Sequence, residues 1–564
     1  MDWHLMNETN TPRPSALDPQ TEAFPKLTET QINRALPFGK RRTVQAGELL
    51  FDAGDTKVPM FILLSGAMAI VQPHEGEERT VVRHGPGGFS GETNMISGRR
   101  ALLSGRVTEA GEFLEISAED MRSLISKDAE LSEIFMRAFI LRRLALIRGG
   151  LGDVVLLGSR HCAATLRLRE FLSRNGHPYS YIDLDSDSHA QEMLDRFQVK
   201  VEDVPVLICR GTRVLRSPTV QAVADCLELN DPVDESQVRD LIVVGAGPSG
   251  LAAAVYAASE GLDVLVIETS APGGQAGSSS KIENYLGFPV GISGAELAAR
   301  ALTQAQKFGA RMMIAHDVVQ LHCGRRPYQI ELDNGQKLTT RAVVIASGAR
   351  YNRPPIPNLG TFEGMGVYYG ATNMEAQLCD GEEVIIVGGA NSAGQAAVYL
   401  SEFSSKVHML VRSGQLSDTM SRYLIQRVET HPKIEMHYHT EVIGVEGERH
   451  VERVQWRNKA TREVATVPIR HVFMMTGAAP NTKWLENCLA LDGKGFILTG
   501  QDLDKQPEPQ FPWKGQRPPY LLETSLPGVF AVGDVRAGNM KRVASAVGEG
   551  SISVHLVHRV LAEM

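Results

Sequence analysis

"DLIVVGAGPSGLAAAVYAASEGLDVLVIE" occupies residues 240–268 and has the pattern of a strand, a glycine loop, a helix and a second strand. Gly245 permits the tight turn, Gly247 lets a pyrophosphate approach the backbone N–H groups, and Gly250 lets the helix pack on the strand. Glu268 closes the second strand, where a carboxylate can bind the ribose hydroxyls. The pattern predicts a Rossmann-type unit for FAD or NAD, with these cofactor contacts: Gly245, Gly247, Pro248, Ser249, Gly250 and Glu268.

A second unit of the same kind, "EVIIVGGANSAGQAAVYLSEFSSKVHMLVRS", covers residues 383–413. Two such units in series predict FAD in the first and a nicotinamide nucleotide in the second. Ala390 stands where the second glycine would be, and we expect binding to tolerate its methyl group. Arg412 ends the second strand in place of an acidic residue, which favours the 2′-phosphate of NADPH, and Arg422 is expected to add a second charge. The alternative for both arginines is a solvated surface position. The other predicted contacts are Gly388, Gly389, Asn391, Ser392 and Ala393.

Further motifs continue to the end of the chain: "GAGPSG", "APGGQAG", "IENYLGFP", "VVIASGAR", "VGGANSAGQAA", "TGAAPNT" and "VFAVGDVR…MKRVASAVGEG". On these motifs, residues 238–564 resemble the low-molecular-weight thioredoxin reductases, which are pyridine nucleotide-disulfide oxidoreductases, and their relatives among ferredoxin-NADP reductases. The resemblance implies two three-layer ββα domains, hydride transfer from NADPH to N5 of FAD, and a homodimer. It also implies these flavin contacts: Gly274, Gln275, Asn284, Gly348, Gly533, Asp534, Arg542, Val543 and Ala544.

The sequence departs from that family just before the second glycine loop. Thioredoxin reductases carry Cys-Ala-Thr-Cys there, and this chain reads "GATN", residues 370–373. Asn373 can donate a hydrogen bond to the flavin or to an incoming acceptor, but it cannot carry two electrons. Cys379 lies six residues further on, where we expect a partly exposed bystander at a surface turn. Electrons are therefore expected to leave the flavin without passing through a dithiol in the core.

Residues 25–148 contain short strand patterns between glycines, followed by a helical stretch. The order "AGELLFDAGD…MFILLSGAMAIV…GGFSGETNMISGRRALLSGRV" resembles the β-roll of cyclic-nucleotide-binding domains. In that family a Gly-Glu pair binds the ribose and an arginine pairs with the cyclic phosphate, which maps to Gly91, Glu92 and Arg100. Because the intervening loop is a residue short, a docking or dimerisation module is the alternative to a working sensor.

Residues 150–232 have a strand–helix–strand order followed by two strands, which resembles the thioredoxin and glutaredoxin fold. The family's nucleophilic cysteine begins a helix, where the helix dipole stabilises a thiolate, and Cys162 occupies that place. The resolving cysteine is replaced by Thr165, and Pro205 stands where the family keeps a cis-proline. Cys162 could act as a monothiol or with a partner from elsewhere. The alternative is an inert cysteine in a spacer domain.

These readings leave several functions open. The first hypothesis is an NADPH-dependent flavin oxidoreductase, catalogued with the thioredoxin reductases, whose acceptor is a disulfide, a thioredoxin-like protein or its own Cys162. One alternative is electron transfer to ferredoxin or flavodoxin. Another is a redox or cyclic-nucleotide sensor without significant turnover.

Composition limits the other classes of function. The chain has 564 residues, 43% of them hydrophobic and 22% charged, with a net charge of −8. It has no apolar run near the roughly 18 residues that span a bilayer, so we do not expect a membrane protein. The negative net charge provides no general basic surface, so we do not expect DNA binding. Its six cysteines include no C-x-x-C, which argues against a disulfide scaffold or a metal site and favours a reducing cytoplasm.

The expected fold class is multidomain α/β. The expected domains are a flexible tail (1–24), a cyclic-nucleotide-binding-like β-domain (25–148), a thioredoxin-like domain (150–232), the first part of the FAD domain (238–360), the NADPH domain (361–490) and the second part of the FAD domain (491–564).

Overall fold

A computed structural model describes residues 22–564, apart from 75–76, 92–99, 149–153, 161, 186–202, 210–212, 231, 280, 417–419, 449, 486, 506–510 and 514. The expected flexible tail, residues 1–24, lies almost entirely outside the described residues. The chain divides into two compact units, Met1–Asp153 and Val154–Met564. Among the described helices, none combines the length and the apolar character needed to cross a lipid bilayer.

The first unit is the predicted β-domain closed by helices. Its two antiparallel sheets have the strand orders β1–β7–β3 and β2–β6–β4–β5. Phe61, Phe89 and Phe113 are fully buried in the core between the sheets and the helices. Thr28 and Ser117 cap the first two helices, because each side-chain oxygen accepts a backbone N–H in the first turn. The strands are β1 (Lys40–Val44), β2 (Leu49–Phe51), β3 (Met60–Leu63), β4 (Ala67–His74), β5 (Glu77–His84), β6 (Ser104–Glu109) and β7 (Gly111–Ile116). The helices are α1 (Glu29–Ala35), α2 (Ala118–Lys127) and α3 (Ala129–Arg148).

The second unit begins with a small mixed sheet of order β11–β10–β8–β9. Strands β8 and β9 are parallel and joined through a helix, and β10 and β11 form an antiparallel hairpin. The strand–helix–strand and hairpin order expected for residues 150–232 is therefore present, and the peptide bond between Val204 and Pro205 is cis. The expected helix before β10 falls on residues 186–202, outside the described residues. The elements are β8 (Val154–Gly158), α4 (Ala163–Arg174), β9 (Ser180–Asp183), β10 (Val206–Cys209), β11 (Arg213–Arg216) and α5 (Val220–Cys226).

The next sheet has the order β14–β13–β12–β17–β16–β15, with β28 beside β17. Strands β14, β13, β12, β17 and β28 are parallel, and β16 and β15 are antiparallel. Their near-continuous Val, Ile and Leu runs are typical of strands covered on both faces. The strands are β12 (Val238–Val244), β13 (Val264–Glu268), β14 (Arg311–Ile314), β15 (Val318–His322), β16 (Tyr328–Leu332), β17 (Lys337–Ile345) and β28 (Val529–Ala531). The helices are α6 (Pro248–Ser259), α7 (Gly294–Lys307) and α11 (Val543–Ala562).

The small mixed sheet is attached to this larger sheet. The side-chain amide of Asn230 donates to the Ile314 carbonyl at 2.8 Å and accepts from the Ile314 N–H at 2.6 Å. These two bonds link the segment after α5 to the end of β14. Ile314 and Ala315 are buried among the core residues of the small sheet.

A further domain is inserted between β17 and β28. An antiparallel pair, β18 (Ala349–Tyr351) and β27 (Ala478–Pro480), forms its two connections. It contains a parallel sheet of order β19–β26–β20–β21–β22 and an antiparallel sheet of order β23–β24–β25. The strands are β19 (Val367–Tyr368), β20 (Glu383–Val387), β21 (Lys406–Val411), β22 (Ile434–Tyr438), β23 (Thr440–Glu446), β24 (Arg453–Asn458), β25 (Val464–Val467) and β26 (His471–Met474). The helices are α8 (Asn373–Leu378), α9 (Asn391–Leu400) and α10 (Arg422–Glu429).

Two cysteines are joined despite the absence of a short cysteine spacing. Cys323 and Cys488 form a disulfide across 165 residues of sequence, a pairing that the sequence did not predict. Leu485, Cys488 and Leu489 pack in the core of the larger sheet rather than in the inserted domain. Tertiary packing brings these cysteines together, so their spacing in sequence carried no signal.

Candidate functional site

The first glycine loop leads into a helix whose N-terminus has no side-chain cap. Gly247 is the N-cap residue of α6 and has no side chain with which to cap it, so the first N–H groups are free to bind an anion. Gly245 has φ +103°, and a Cβ there would lie 2.4 Å from the Ala346 carbonyl oxygen. A Cβ at Gly250 would lie 1.9 Å from the Gly245 carbonyl oxygen. The close approach of loop, helix and strand therefore requires glycine at both positions.

Glu268 supports this loop from the end of β13. Its carboxylate accepts the N–H of Ala246 at 2.8 Å and the N–H of Ser270 at 3.1 Å. The side chain is buried, and burial raises the pKa of Glu268 above its usual range. The carboxylate thus lies beside the loop where the sequence predicts the ribose of a dinucleotide.

Two more predicted segments meet at the same helix start. A Cβ at Gly274 would lie 3.0 Å from the Cα of Gly247. Gly533 has φ +71°, and a Cβ there would lie 2.5 Å from Oγ of Ser249, which is buried in the first turn of α6. The fold therefore brings together residues almost 300 positions apart around Pro248, the first residue of α6. These glycines let three backbone segments meet at the start of α6, an arrangement that fits the pyrophosphate of FAD.

Glu549 is a site residue that the sequence analysis missed. It projects from α11, and its carboxylate accepts the Gly533 N–H at 2.7 Å, Arg536 Nη2 at 2.5 Å and Asn539 Nδ2 at 2.8 Å. It therefore holds the Gly533–Asp534 turn in place. An acidic residue between two glycines of the "VGEG" motif was its only signal.

The remaining predicted flavin contacts lie in several segments of the chain and differ in exposure. Burial raises the pKa of Asp534. Arg542 is the N-cap residue of α11, and Val543 and Ala544 form its first turn. The side-chain amide of Gln275 donates to the carbonyl of Ala349. Asn284 is exposed in the loop before α7, and Gly348, with φ +63°, joins β17 to β18.

The second glycine loop has the same architecture. Ala390 is the N-cap residue of α9, with φ −100° and ψ 176°, an extended backbone that alanine adopts without strain. Gly388 must be glycine, because a Cβ there would lie 2.5 Å from the Met475 carbonyl oxygen. A Cβ at Gly389 would lie 3.0 Å from Val411 at the end of β21. The open helix start thus fits a second dinucleotide.

Asn391 makes a contact within the protein. Its Oδ1 accepts the backbone N–H of Ser421 at 2.8 Å, which ties the start of α10 to the start of α9. This bond places Arg422, the exposed first residue of α10, near the second loop. Arg412 is exposed directly after β21. Ser392 is exposed in the first turn of α9, and Ala393 is buried.

An ion pair connects the two dinucleotide units. Arg427 on α10 binds the Glu283 carboxylate at 3.0 Å, and Glu283 lies next to Asn284 in the "IENYLGFP" loop. The helix that carries Arg422 in the inserted domain therefore contacts the flavin-side loop.

The "GATN" segment leads directly into α8. Asn373 is the first residue of α8, but its side chain lies outside the described part of the chain. Glu375 accepts the Thr372 N–H at 2.9 Å, and burial raises the pKa of Glu375. Cys379 is fully buried, so the expectation of a partly exposed cysteine was wrong. The reason is that α8 packs on the core of the inserted domain, and this burial raises the pKa of the Cys379 thiol.

Cys162 is the partly buried N-cap residue of α4. A Cβ at Gly364, six residues before Gly370, would lie 2.9 Å from Cβ of Ala163 in the first turn of α4. At the other end of α4, Arg174 Nη2 donates to the Gly274 carbonyl at 2.8 Å. Helix α4 therefore runs from the segment before "GATN" to the "PGGQ" segment beside the first glycine loop. No sequence signal indicated Arg174, because its partner is 100 residues away.

The predicted cyclic-nucleotide residues lie in the first unit. Gly91 has φ +107°, and its carbonyl accepts from Arg142 Nη1 at 2.8 Å. Arg100 Nη1 donates to the Gly54 carbonyl at 2.9 Å. Glu92 lies outside the described residues. The guanidinium expected to bind a cyclic phosphate therefore has a backbone acceptor.

Comparisons with known proteins match two parts of the chain. Residues 239–550 match the family model "Pyridine nucleotide-disulphide oxidoreductase", and residues 41–128 match "Cyclic nucleotide-binding domain". The chain is 30% identical over 333 residues to the thioredoxin reductase of Bacillus subtilis, with 59% of this chain and 98% of the relative covered.

Two further comparisons extend this result. The chain is 29% identical over 368 residues to NADPH-dependent thioredoxin reductase 3 of Arabidopsis thaliana, with 62% of this chain and 65% of that protein's length covered. The crystal structure of Lactococcus lactis thioredoxin reductase (FR conformation) matches with a TM-score of 0.52 at 25% identity, covering 58% of this chain and all of that one. Because the family model covers more than half of the sequence, this chain belongs to the pyridine nucleotide-disulphide oxidoreductase family.

Proposed function

We propose that the protein is an NADPH-dependent FAD oxidoreductase, similar to thioredoxin reductases, that delivers electrons to a disulfide or a small redox protein without a cysteine pair beside the flavin. The observation that carries this proposal is the pair of helix N-termini without a side-chain cap, at α6 and α9. The ion pair between Arg427 and Glu283 connects the two units that contain these helices. When bound, FAD would accept a hydride from NADPH and pass on two electrons. By the same resemblance we propose a cytoplasmic homodimer.

Cys162 is the proposed electron acceptor within the chain, in a thioredoxin-like domain formed by β8–β11. Its thiolate would attack a substrate disulfide, so that one substrate thiol leaves and a mixed disulfide with Cys162 forms. Two electrons and a proton, supplied ultimately by NADPH, would then cleave the mixed disulfide and release the second thiol. The position of α4, between the segment before "GATN" and the first glycine loop, supports this route. Thr165, in the place of the resolving cysteine, carries a hydroxyl group, so this motif offers no resolving thiol.

Replacing Cys162 by serine is expected to lower disulfide-dependent NADPH oxidation at least about a hundredfold, because the nucleophile is lost. Oxidation with ferricyanide, which takes electrons from the flavin without a thiol, should persist. The measurement is steady-state NADPH consumption with each acceptor. Cys379→Ala, which removes a buried thiol, is the control and should keep both activities.

The alternatives predict different results in the same assay. Undiminished disulfide reduction in Cys162→Ser would refute the role of Cys162. Fast reduction of ferredoxin or flavodoxin, with no disulfide reduction by the unmodified chain, would favour the electron-transfer alternative. Little turnover with any acceptor would favour a sensor.

For the first unit we propose a docking module rather than a cyclic-nucleotide sensor. Because Arg100 already donates to the Gly54 carbonyl, a cyclic phosphate would have to compete with that bond. Calorimetry with cAMP and cGMP is expected to show no binding at about 0.1 mM. Micromolar binding that disappears in Arg100→Ala would contradict this proposal.

A further inference from the structure

A compact group of histidine and carboxylate side chains lies in the parallel sheet of the inserted domain. His408 is on β21, and Glu435 and His437 are on the neighbouring strand β22. One nitrogen or oxygen atom from each side chain lies within 4.8 Å of the other two. His408 contacts Glu383, the first residue of β20, whereas the second glycine loop follows the carboxyl end of β20. The group is therefore separate from the proposed nucleotide site.

The distances between these atoms are close to those of a metal coordination sphere. Nδ1 of His408 lies 3.1 Å from Nε2 of His437, which in turn lies 3.6 Å from Oε1 of Glu435. Ligand atoms around a tetrahedral Zn²⁺ are about 3.3 Å apart, given metal–ligand bonds of about 2.0–2.1 Å. The contacts of His437 Nε2 with His408 and with Glu435 thus differ from that spacing by only a few tenths of an ångström, and the ligand atoms of all three residues lie within 4.8 Å of one another.

The surrounding residues hold the same three atoms in position. Nε2 of His408 lies 2.8 Å from Glu383, and donation to this carboxylate leaves the lone pair of Nδ1 available. Lys406 pairs with Oε2 of Glu435 and leaves Oε1 toward His437.

Burial and a neighbouring aromatic ring limit the movement of both imidazoles. The side chain of His408 is only 9% exposed. The ring of Trp456 lies 5.8 Å from the imidazole of His408 and 5.2 Å from that of His437.

We propose that the inserted domain binds one Zn²⁺ ion, or a divalent transition metal of similar preference, through His408 Nδ1, His437 Nε2 and Glu435 Oε1. Three protein ligands leave a fourth position for water, and the ion would link β21 to β22. The scattered cysteines, with no C-x-x-C pair among them, predicted no metal site. Glu435 and His437 lie 27 and 29 residues after His408, and the three side chains meet only because two parallel strands are adjacent.

The test uses the full-length, FAD-loaded chain without an affinity tag, stripped of metal with a chelator. Titration with Zn²⁺ against a chromophoric chelator is expected to show one ion per chain. His437→Gln and Glu435→Gln should each weaken binding at least about tenfold, and Glu383→Gln about 10- to 100-fold. Co²⁺ should give the visible absorption of a tetrahedral site in the unmodified chain and lose it in His437→Gln.

The matched control is His322→Gln, which removes a histidine that pairs with another carboxylate, Glu331, at 2.8 Å. It should leave Zn²⁺ binding unchanged. FAD content and far-ultraviolet circular dichroism report whether each variant is folded. Absence of stoichiometric binding, or equal binding in folded His437→Gln and Glu435→Gln, would overturn the proposal.

Discussion

Gly250→Ala is expected to yield a chain that no longer retains FAD during purification. The new Cβ would lie 1.9 Å from the Gly245 carbonyl oxygen and 3.2 Å from Cβ of Ala346, so α6 would have to move away from β12. Overpacking of this kind costs about 1–3 kcal/mol or more. Since the loop and the helix start shift together, the pyrophosphate would lose several N–H donors at once. FAD affinity should fall at least about a hundredfold.

The measurement is the ratio of FAD to protein, from the visible spectrum, followed by titration of the apoprotein with FAD. Gly548→Ala is the matched control, because it is also a helical glycine but a Cβ there would meet nothing within 4 Å. Its FAD content should stay stoichiometric. A Gly250→Ala variant that keeps full FAD affinity would show that this close approach does not form the binding site.

Arg412→Ala is expected to reduce the preference for NADPH over NADH about tenfold or more. Arg412 is exposed at the end of β21, beside the second glycine loop, where it can form a charge-assisted hydrogen bond with a 2′-phosphate. Such a bond contributes about 1.5–3 kcal/mol. Because NADH lacks this phosphate, its kcat/KM should change little. The ratio of kcat/KM for the two nucleotides is the quantity to measure.

Arg457→Ala is the control, since this arginine is also exposed in the inserted domain and pairs with Glu441 at 2.7 Å. Its cofactor preference should be unchanged. Arg422→Ala tests the second proposed charge: an effect smaller than that of Arg412→Ala would make Arg422 an auxiliary contact, and no effect would make it a solvated surface residue. Equal reaction of NADPH and NADH with the unmodified chain would refute the assignment of Arg412.

The local sequence patterns were sufficient to predict the fold of both dinucleotide units. A glycine turn between an apolar strand and an alanine-rich helix leaves few alternatives, and Gly245, Gly250 and Gly388 have the close backbone contacts that those patterns imply. The substitution at Ala390 was also interpretable, because an N-cap residue with an extended backbone does not need glycine. These features depend on residues that are neighbours in sequence, and their physical chemistry is visible in a short window.

Contacts between distant segments were decided only by the tertiary structure. Glu549 accepts the Gly533 N–H, and Arg174 donates to the Gly274 carbonyl. Cys379 is buried in the core of the inserted domain. The cluster around His408 likewise needs two adjacent strands to exist. A side chain's partner in such cases depends on how helices and sheets pack, and packing is a property of the whole chain. Residue types and short spacings were enough to predict candidate cofactor sites, but the contacts that support the loops at those sites depend on the fold of the whole chain.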